Sequence, residues 1–248
     1  MKKSVSFVVD GLKHMTYSAV IFDLFGTLVS DIMGPLYQQV AEQMAKILSI
    51  PSEKFSDMWF GTIYERNIGI FETIQDNIRF ICKKLNTDFN EDQIFKATQI
   101  RYEYVRRTMT LPRVHSLETL AELRKKGIKI GLLSDCSSSE VDIWPGTPFP
   151  HFFDVTVFSS SVKLKKPDLK IFQLAARKLH MREKQCVYVG NGGSNEIEGS
   201  FKSGMFPMLI LPESKNEPTL QTGKDIIEYA QEHGKVIGGL NEILEVFK

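Results

Sequence analysis

The sequence is poor in cysteine. Cys82, Cys136 and Cys186 are the only three among 248 residues, and they form neither a CxxC pair nor a Cys/His cluster. An odd number of widely spaced cysteines argues against a disulfide framework and is typical of a reducing compartment. The missing ligand spacing argues against a zinc site. We therefore predict a cytoplasmic protein without structural zinc.

Long apolar runs are also missing. No stretch approaches the roughly 18 consecutive apolar residues that a membrane-spanning helix needs. Near the amino end, Asp10 ends the short apolar run Val5–Val9 before it reaches the length of a secretory signal. Residues 1–14 are expected to be an extension in which alternate residues of that run form an edge strand. Met15 is as natural a start as Met1.

The chain has no marked charge of either sign. Its 31 basic and 30 acidic residues leave a net charge of +1, which gives no electrostatic reason to expect nucleic acid or a membrane as a partner. With 42% hydrophobic and 25% charged residues, the composition is that of an ordinary globular protein. The length fits one large domain, or a core with a modest insertion. The oligomeric state stays open.

Short apolar runs without polar alternation recur along the chain and predict strands that are buried on both faces. They are Ala19–Phe22, Ile128–Leu133, Val155–Phe158, Cys186–Val189, Met208–Leu211 and the short Val236–Ile237. Helical sequence separates most of them, including a helix that Gly127 ends and a helix over Asp168–His180 with Pro167 in its first turn. This alternation predicts an α/β fold with a doubly wound parallel sheet.

A long segment without strands interrupts this alternation after the first strand. From Pro35 to Met109 the apolar residues recur at helical spacing in four stripes, and Asn90 with Gln93 forms a capping-box pattern. We predict a helical cap over residues 31–109, inserted into an α/β core made of residues 1–30 and 110–248.

The stretch after the first predicted strand carries the first candidate for chemistry. Asp23 follows Ala19–Phe22 directly, at the strand end where open α/β sheets place their ligands. Gly26 allows the backbone to turn sharply beside it. An aspartate at a strand end is more often a turn former than a catalyst, so its assignment depends on the other strand ends.

Polar groups follow three further strands. Ser134 and Asp135 follow the second strand, a lysine-rich turn with Lys166 follows the third, and the glycine-rich segment 190–196 follows the fourth and opens a helix. In a parallel sheet these ends meet at one rim. We expect Asp23, Ser134, Lys166, Asn191 and Glu196 to share a pocket, and the glycine-rich loop is a candidate anion-binding site.

The segments FDLFGT, LLSD, KKPD and VGNGGSNE resemble, in this order, the four motifs of the haloacid dehalogenase superfamily of hydrolases. The resemblance runs from about Val20 to Leu211, and the helical insertion is similar to the superfamily's cap. It implies a hydrolase, most simply a Mg²⁺-dependent phosphatase of a small anionic phosphomonoester. The scaffold supports several reactions, so the fold alone does not fix the chemistry.

The resemblance also implies roles for individual residues. Asp23 would be the nucleophile that forms an aspartyl ester, Ser134 would hold the transferring group, and Lys166 would neutralise charge. Three further residues are expected near the substrate: Thr27, which would help to orient the first loop, Asp135, and Arg66, for which an exposed arginine without a role is the alternative. Magnesium would bind Asp23, the backbone carbonyl of Phe25, and Asn191 or Glu196 in the fourth loop.

Two departures from the superfamily's pattern leave alternatives open. Most of its phosphatases carry a second Asp, as general acid and base, where this chain has Phe25. The fourth motif usually begins Gly-Asp, but here it reads Gly190-Asn191, which should weaken metal binding. A metal-independent 2-haloacid dehalogenase is the runner-up, because those enzymes place an aromatic residue at the position of Phe25. However, they usually have a Tyr where this chain has Phe172. The third hypothesis is a protein that keeps the fold without catalysing a reaction and binds a phosphorylated ligand or a partner protein.

Overall fold

A computed structural model describes residues 17–33, 35–213 and 223–247, so the predicted edge strand near the amino end lies outside the described residues. The core is one parallel sheet of six strands in the order β3-β2-β1-β4-β5-β6. The strands are β1 (Ala19–Phe22), β2 (Lys129–Ser134), β3 (Val155–Phe158), β4 (Cys186–Gly190), β5 (Phe206–Ile210) and β6 (Lys235–Ile237). The α/β fold class is confirmed.

Strand β1 lies in the centre of the sheet between β2 and β4, and all four of its residues are fully buried. Val20 and Phe22 face one hydrophobic cluster, while Ala19 and Ile21 face another on the opposite side. The uninterrupted apolar sequence therefore follows from burial on both faces. Asp23, the residue after β1, therefore lies at the middle of the sheet edge. There β2 and β3 lie on one side of β1, and β4 to β6 lie on the other.

Helices cover both faces of the sheet. They are α6 (Ser116–Lys125), α7 (Ser138–Ile143), α8 (Ser159–Val162), α9 (Leu169–Lys178), α10 (Glu196–Lys202) and α11 (Lys224–His233), followed by a 3₁₀ helix over Leu240–Phe247. The sequence pattern did not predict the two short helices α7 and α8, nor α11. The stop at Gly127 is confirmed, because this residue has φ +72° and its N–H donates to the Arg124 carbonyl.

The start of α9 corrects one prediction. Pro167 lies outside the helix, in a cis peptide bond with Lys166. Asp168 is the N-cap residue, since its side chain accepts a hydrogen bond from the backbone N–H of Lys170. The helix therefore begins at Leu169, two residues after the proline.

Between Pro35 and Met109 the chain forms five helices rather than the four predicted. They are α1 (Pro35–Ile47), α2 (Ser52–Gly61), α3 (Ile63–Asn67), α4 (Ile74–Lys84) and α5 (Glu91–Met109). The second predicted helix breaks at Thr62, whose hydroxyl donates to the carbonyls of Met58 and Trp59. The capping box of Asn90 and Gln93 is present at α5. We call residues 35–109 the helical insert.

The helical insert has its own hydrophobic cluster and also contacts the sheet-bearing part of the chain beside the end of β1. The hydroxyl of Tyr102 on α5 donates to Asp142 on α7. At Gly69 an added Cβ would lie 2.2 Å from the carbonyl oxygen of Ser160, so only glycine permits this approach. No helix within 17–33, 35–213 and 223–247 has the length and apolar character of a membrane span.

Candidate active site

Asp23 lies at the carboxyl end of β1 and is held there from three sides. Its backbone N–H donates to the Val189 carbonyl at 2.9 Å, which fixes it against β4. The hydroxyl of Thr27 donates to Oδ2 at 3.3 Å. Gly26 turns the chain with φ +73°, and an added Cβ there would lie 2.0 Å from Nδ2 of Asn191. The sequence expectation for a tight glycine turn beside the carboxylate is confirmed.

Lys166 brings the first and fourth loops together. Its Nζ lies 2.6 Å from Oδ1 of Asp23 and also donates to Oε2 of Glu196. The same Glu196 oxygen accepts from the hydroxyl of Tyr188 at 2.7 Å. All four side chains are buried, with Lys166 only 3% exposed. The site therefore contains an ammonium group held between two carboxylates.

Burial and charge shift the ionisation of this cluster. Burial raises the pKa of the Asp23 carboxyl, and the ammonium of Lys166 opposes that rise. Burial, followed by the charge of Asp23, raises the pKa of Glu196 to about 7. Lys166 has a raised pKa, since the two carboxylates outweigh the cost of burying its charge. Lys166 is therefore a permanent cation at neutral pH.

Asp135 fixes the loop that presents Lys166. Its Oδ1 accepts the backbone N–H of Lys166 at 3.0 Å, and its Oδ2 lies 3.5 Å from Nζ of Lys165. Asp135 was predicted near the substrate, and it does line the cavity described below. Its hydrogen bond to the Lys166 backbone adds a positioning contact that the sequence did not indicate.

The glycine-rich loop differs from its predicted role as an anion site. The N–H of Gly192 donates to Oε1 of Glu196, and the N–H of Gly193 donates to Oδ1 of Asn191. These two amides are therefore used within the loop and do not face a ligand. Gly190 is required for close approach, because an added Cβ would lie 2.2 Å from Oε1 of Glu196.

A cavity of about 230 Å³ lies over Asp23, between the strand ends and the helical insert. Its lining includes predicted site residues from both parts of the chain, namely Asp23, Phe25, Arg66, Asp135, Lys166, Asn191 and Glu196. Thr27 and Ser134 are not in the lining, and both are fully buried. For Thr27 this corrects the predicted substrate contact, since its hydroxyl is turned to Asp23. The Ser134 hydroxyl has no hydrogen-bond partner among the described residues.

Arg66 lies in the cavity wall, which corrects the alternative of an exposed arginine. It is only 3% exposed, and its guanidinium stacks over the Trp59 ring with 3.9 Å to the centroid. A second arginine, Arg101 of α5, is 4% exposed and also lines the cavity. Its Nη2 forms an ion pair with Glu140 of α7, across the boundary between helical insert and core.

Sequence reasoning missed Tyr188, Arg101 and Glu140. Tyr188 lies inside an apolar strand, where its hydroxyl gave no sign that it meets Glu196. A usable sign existed for Arg101, which shares a helical face with Ile94, Thr98 and Val105 of the weakest predicted stripe. An arginine on an otherwise buried face must find a partner, and here that partner is Glu140.

The fit of this site to Mg²⁺ depends on which oxygens remain available. Glu196 was predicted as a ligand, but protein donors occupy both of its carboxylate oxygens. Asp23 and Asn191 both line the cavity. Their oxygens also accept hydrogen bonds, from Lys166, Thr27 and the N–H of Gly193, but each oxygen accepts one of these and keeps a second acceptor position for a metal. Magnesium often uses one or two carboxylates and takes its other ligands from water and phosphate. The residues therefore fit Mg²⁺, but the site has one negative charge fewer than it would have with an aspartate at position 191.

A six-stranded parallel sheet with a buried Asp–Lys–Glu cluster at its central strand end defines an α/β enzyme scaffold. A family model described as haloacid dehalogenase-like hydrolase matches residues 17–200. The chain belongs to this hydrolase family.

Relatives with assigned activities fall into two reaction classes. A glyceraldehyde 3-phosphate phosphatase of Methanothermobacter thermautotrophicus is 26% identical over 236 residues, covering 91% of this chain and 94% of the relative. An (S)-2-haloacid dehalogenase of Pseudomonas sp. strain YL is 24% identical over 176 residues, covering 69% and 73%.

Solved structures share the fold. A haloacid dehalogenase family enzyme of Bacteroides thetaiotaomicron, in complex with magnesium and inorganic phosphate, superposes with a TM-score of 0.60. It is 18% identical, and the alignment covers 81% of this chain and 97% of that one. At this identity the likeness shows the fold alone.

Proposed function

We propose that the protein is a phosphatase of a small phosphomonoester that uses Asp23 as nucleophile. The observation that carries the proposal is the buried contact of 2.6 Å between the Lys166 ammonium and Asp23 Oδ1. This contact provides a fixed positive charge beside the Asp23 carboxylate, which lines the cavity. Phosphoryl transfer depends chiefly on positioned positive charge rather than on covalent chemistry by the protein.

The reaction proceeds in two displacements. In the first, a carboxylate oxygen of Asp23 forms a bond to phosphorus while the bond between phosphorus and the ester oxygen breaks. In the second, a water oxygen attacks phosphorus, phosphate leaves and the Asp23 carboxylate is restored. Phe25 cannot donate a proton to the leaving alkoxide, so that proton comes from water. A missing general acid lowers rates by about 10²–10⁴.

Within this proposal, Mg²⁺ is the cofactor. Asp23, the carbonyl of Phe25 and Asn191 would hold it, and it would supply additional positive charge to the phosphoryl oxygens. The magnesium and phosphate in the Bacteroides enzyme support this expectation. Glu196 instead holds Lys166 in place. We also propose that residues 31–109, which include the helical insert, form a cap over the cavity.

A metal-independent 2-haloacid dehalogenase is the second candidate. The observation in its favour is the aromatic ring of Phe25 in the cavity wall, together with a Glu196 whose oxygens are already bound. A catalytically inactive protein of this fold that binds an anionic ligand is the third candidate, since Phe25 and Asn191 both weaken catalysis.

The three free, buried cysteines support a reducing, cytoplasmic environment.

Phosphate release from a panel of small phosphomonoesters, with and without Mg²⁺, tests the proposal. We expect slow Mg²⁺-dependent release that Asp23→Asn abolishes, because the amide cannot form the acyl phosphate. Release of chloride from 2-chloropropionate without metal would select the dehalogenase instead. Absence of both products at every metal concentration would reject both enzymatic readings.

A further inference from the structure

The part of the cavity wall that the helical insert forms contains a buried cation, Arg66, that makes no ion pair with a described residue. Arg66 of α3 is 3% exposed, and Nη1 donates to three neutral oxygens, those of the Trp59 carbonyl, the Thr62 hydroxyl and the Asn77 amide. Among the described residues, no carboxylate lies within ion-pair distance of it. A buried charge without a counter-ion is costly, so this arrangement favours an anionic ligand.

Arg101 provides a second, independent observation beside it. Its Nη2 pairs with Glu140, but Nε and Nη1 are buried and have no hydrogen-bond partner within the described part of the chain. Buried donors left unsatisfied are rare in folded proteins and destabilise them. Both arginines line the same cavity as Asp23 and Lys166.

Arg66 is the guanidinium in this part of the cavity that has no ion-pair partner among the residues that the structure describes. Glu140 pairs with Arg101, and Asp31 is a further carboxylate in the cavity lining. Burial lowers the pKa of Arg66 and Arg101 adds to this effect, whereas Glu140 acts in the opposite direction. An anion bound here would supply a counter-ion for Arg66 and acceptors for the unsatisfied N–H groups of Arg101.

We propose that Arg66 and Arg101 bind a carboxylate at the far end of the substrate, so that the cavity takes a short phosphorylated carboxylic acid. The proposal rests on the proposed function, which places the phosphoryl group at Asp23 and Lys166. A planar carboxylate matches the fork of a guanidinium group. Asp23, Lys166 and both arginines line this one cavity of about 230 Å³, which has room for a small molecule.

This substrate differs from the one that the phosphatase relatives' name states. Glyceraldehyde 3-phosphate ends in a neutral aldehyde, which offers oxygen acceptors but no charge. A neutral end would leave Arg66 without a counter-ion. We therefore expect selectivity for an acid over an uncharged molecule of the same length.

Two phosphonates of equal chain length test this without any turnover. 3-Phosphonopropionate carries a carboxylate opposite its phosphonate, whereas propylphosphonate carries a methyl group there. The carbon–phosphorus bond is not hydrolysed, so calorimetric titration of the full-length protein measures binding alone. We expect the acid to bind at least about tenfold more tightly, as charged hydrogen bonds at a desolvated site predict.

Three variants identify the residues responsible. Arg66→Gln, and separately Arg101→Gln combined with Glu140→Gln, should reduce the preference to less than about threefold, with most of the loss in the binding of 3-phosphonopropionate. The double variant removes both charges of the Arg101–Glu140 ion pair and so leaves no unpaired charge. It therefore still tests the proposal if Arg66→Gln does not fold. Arg79→Gln on α4 removes the same charge at a partly exposed position of the helical insert and is the control.

The outcomes separate this proposal from the proposed function. Equal binding of both phosphonates would overturn the carboxylate site and leave the phosphoryl site standing. Binding of neither would overturn both. Binding of 2-chloropropionate with no binding of either phosphonate would reject the phosphorylated acid in favour of a halo acid. A persistent preference with no hydrolysis of any ester would retain the acid-binding site and reject only the phosphatase.

Discussion

The ammonium nitrogen of Lys166 lies 2.6 Å from Oδ1 of Asp23, although 143 positions separate these residues in the chain. The parallel sheet makes this contact, because β1 and β4 are neighbours and the loop after β3 returns to the same rim. With Glu196 ionised, the cluster holds two carboxylates and one ammonium. Its net charge is therefore negative, on side chains that are almost fully buried.

Glu196→Gln should flatten the dependence of stability on pH. The Glu196 carboxyl has a pKa of about 7 in the folded protein and an ordinary value of 4.5, so its ionisation opposes folding. Its contribution is complete below pH 4.5 and is lost as the pH rises through 7. Between pH 5 and pH 8 we expect the wild type to lose about 1–3 kcal/mol more unfolding free energy than the variant.

Urea unfolding at several pH values measures this difference. Glu198→Gln is the matched control, because Glu198 lies on the same helix but is half-exposed and pairs with Lys202. That control should follow the wild-type curve. Parallel curves for the wild type and Glu196→Gln would show that the carboxyl is already ionised at pH 5.

Phe25→Asp should increase phosphatase activity. Phe25 lines the cavity two positions after Asp23, and a carboxyl there can give a proton to the leaving oxygen and later take one from water. We expect kcat to rise by up to about 10²-fold, against some loss of packing with the core cluster. Phe25→Asn, which has the same size as the Asp variant but transfers no proton, is the control. An equal rise in both variants would indicate that removal of the ring opens the cavity.

Much of the fold was readable from the sequence, because burial on both faces leaves a clear pattern. The core strand β1 was placed with its observed bounds for this reason. Helix α11 was missed, since it is largely exposed and only Ala230 among its residues is buried. The break at Thr62 was missed too, because it depends on a side-chain hydroxyl competing for backbone carbonyls rather than on periodicity.

The site was predictable where a motif sits at a strand end. Asp23, Lys166, Asn191 and Glu196 line one cavity, as expected from the shared rim, but Ser134, which was predicted to join them, is not in its lining. The partners of Glu196 were not predictable, since Tyr188 and Lys166 approach it from different elements. The roles of the arginines likewise depend on how the helical insert lies on the core, which no local pattern encodes.

The ion pair between Arg101 and Glu140 should stabilise the contact of the helical insert with the core. Both side chains are buried, so removing one partner leaves an uncompensated charge. Glu140→Gln alone should cost about 3–5 kcal/mol of unfolding free energy, whereas Glu140→Gln with Arg101→Gln should cost less. Denaturant unfolding of the two single variants and the double variant gives the coupling. Additive losses would contradict a direct interaction.

Asn191→Asp should make stability and activity depend strongly on Mg²⁺. The side chain at 191 lies beside the Gly26 turn, so a carboxylate there adds a second negative charge near Asp23. Without metal, the two charges repel and the variant should unfold at a lower temperature than the wild type. With millimolar Mg²⁺ the order should reverse, because binding to the folded state alone stabilises it by mass action. Thermal unfolding across a Mg²⁺ titration measures both effects, and Asn191→Ser, which adds no charge, is the control. If Mg²⁺ shifts the Asp and Ser variants equally, position 191 does not contact the metal, and the proposed ligand set would have to be given up.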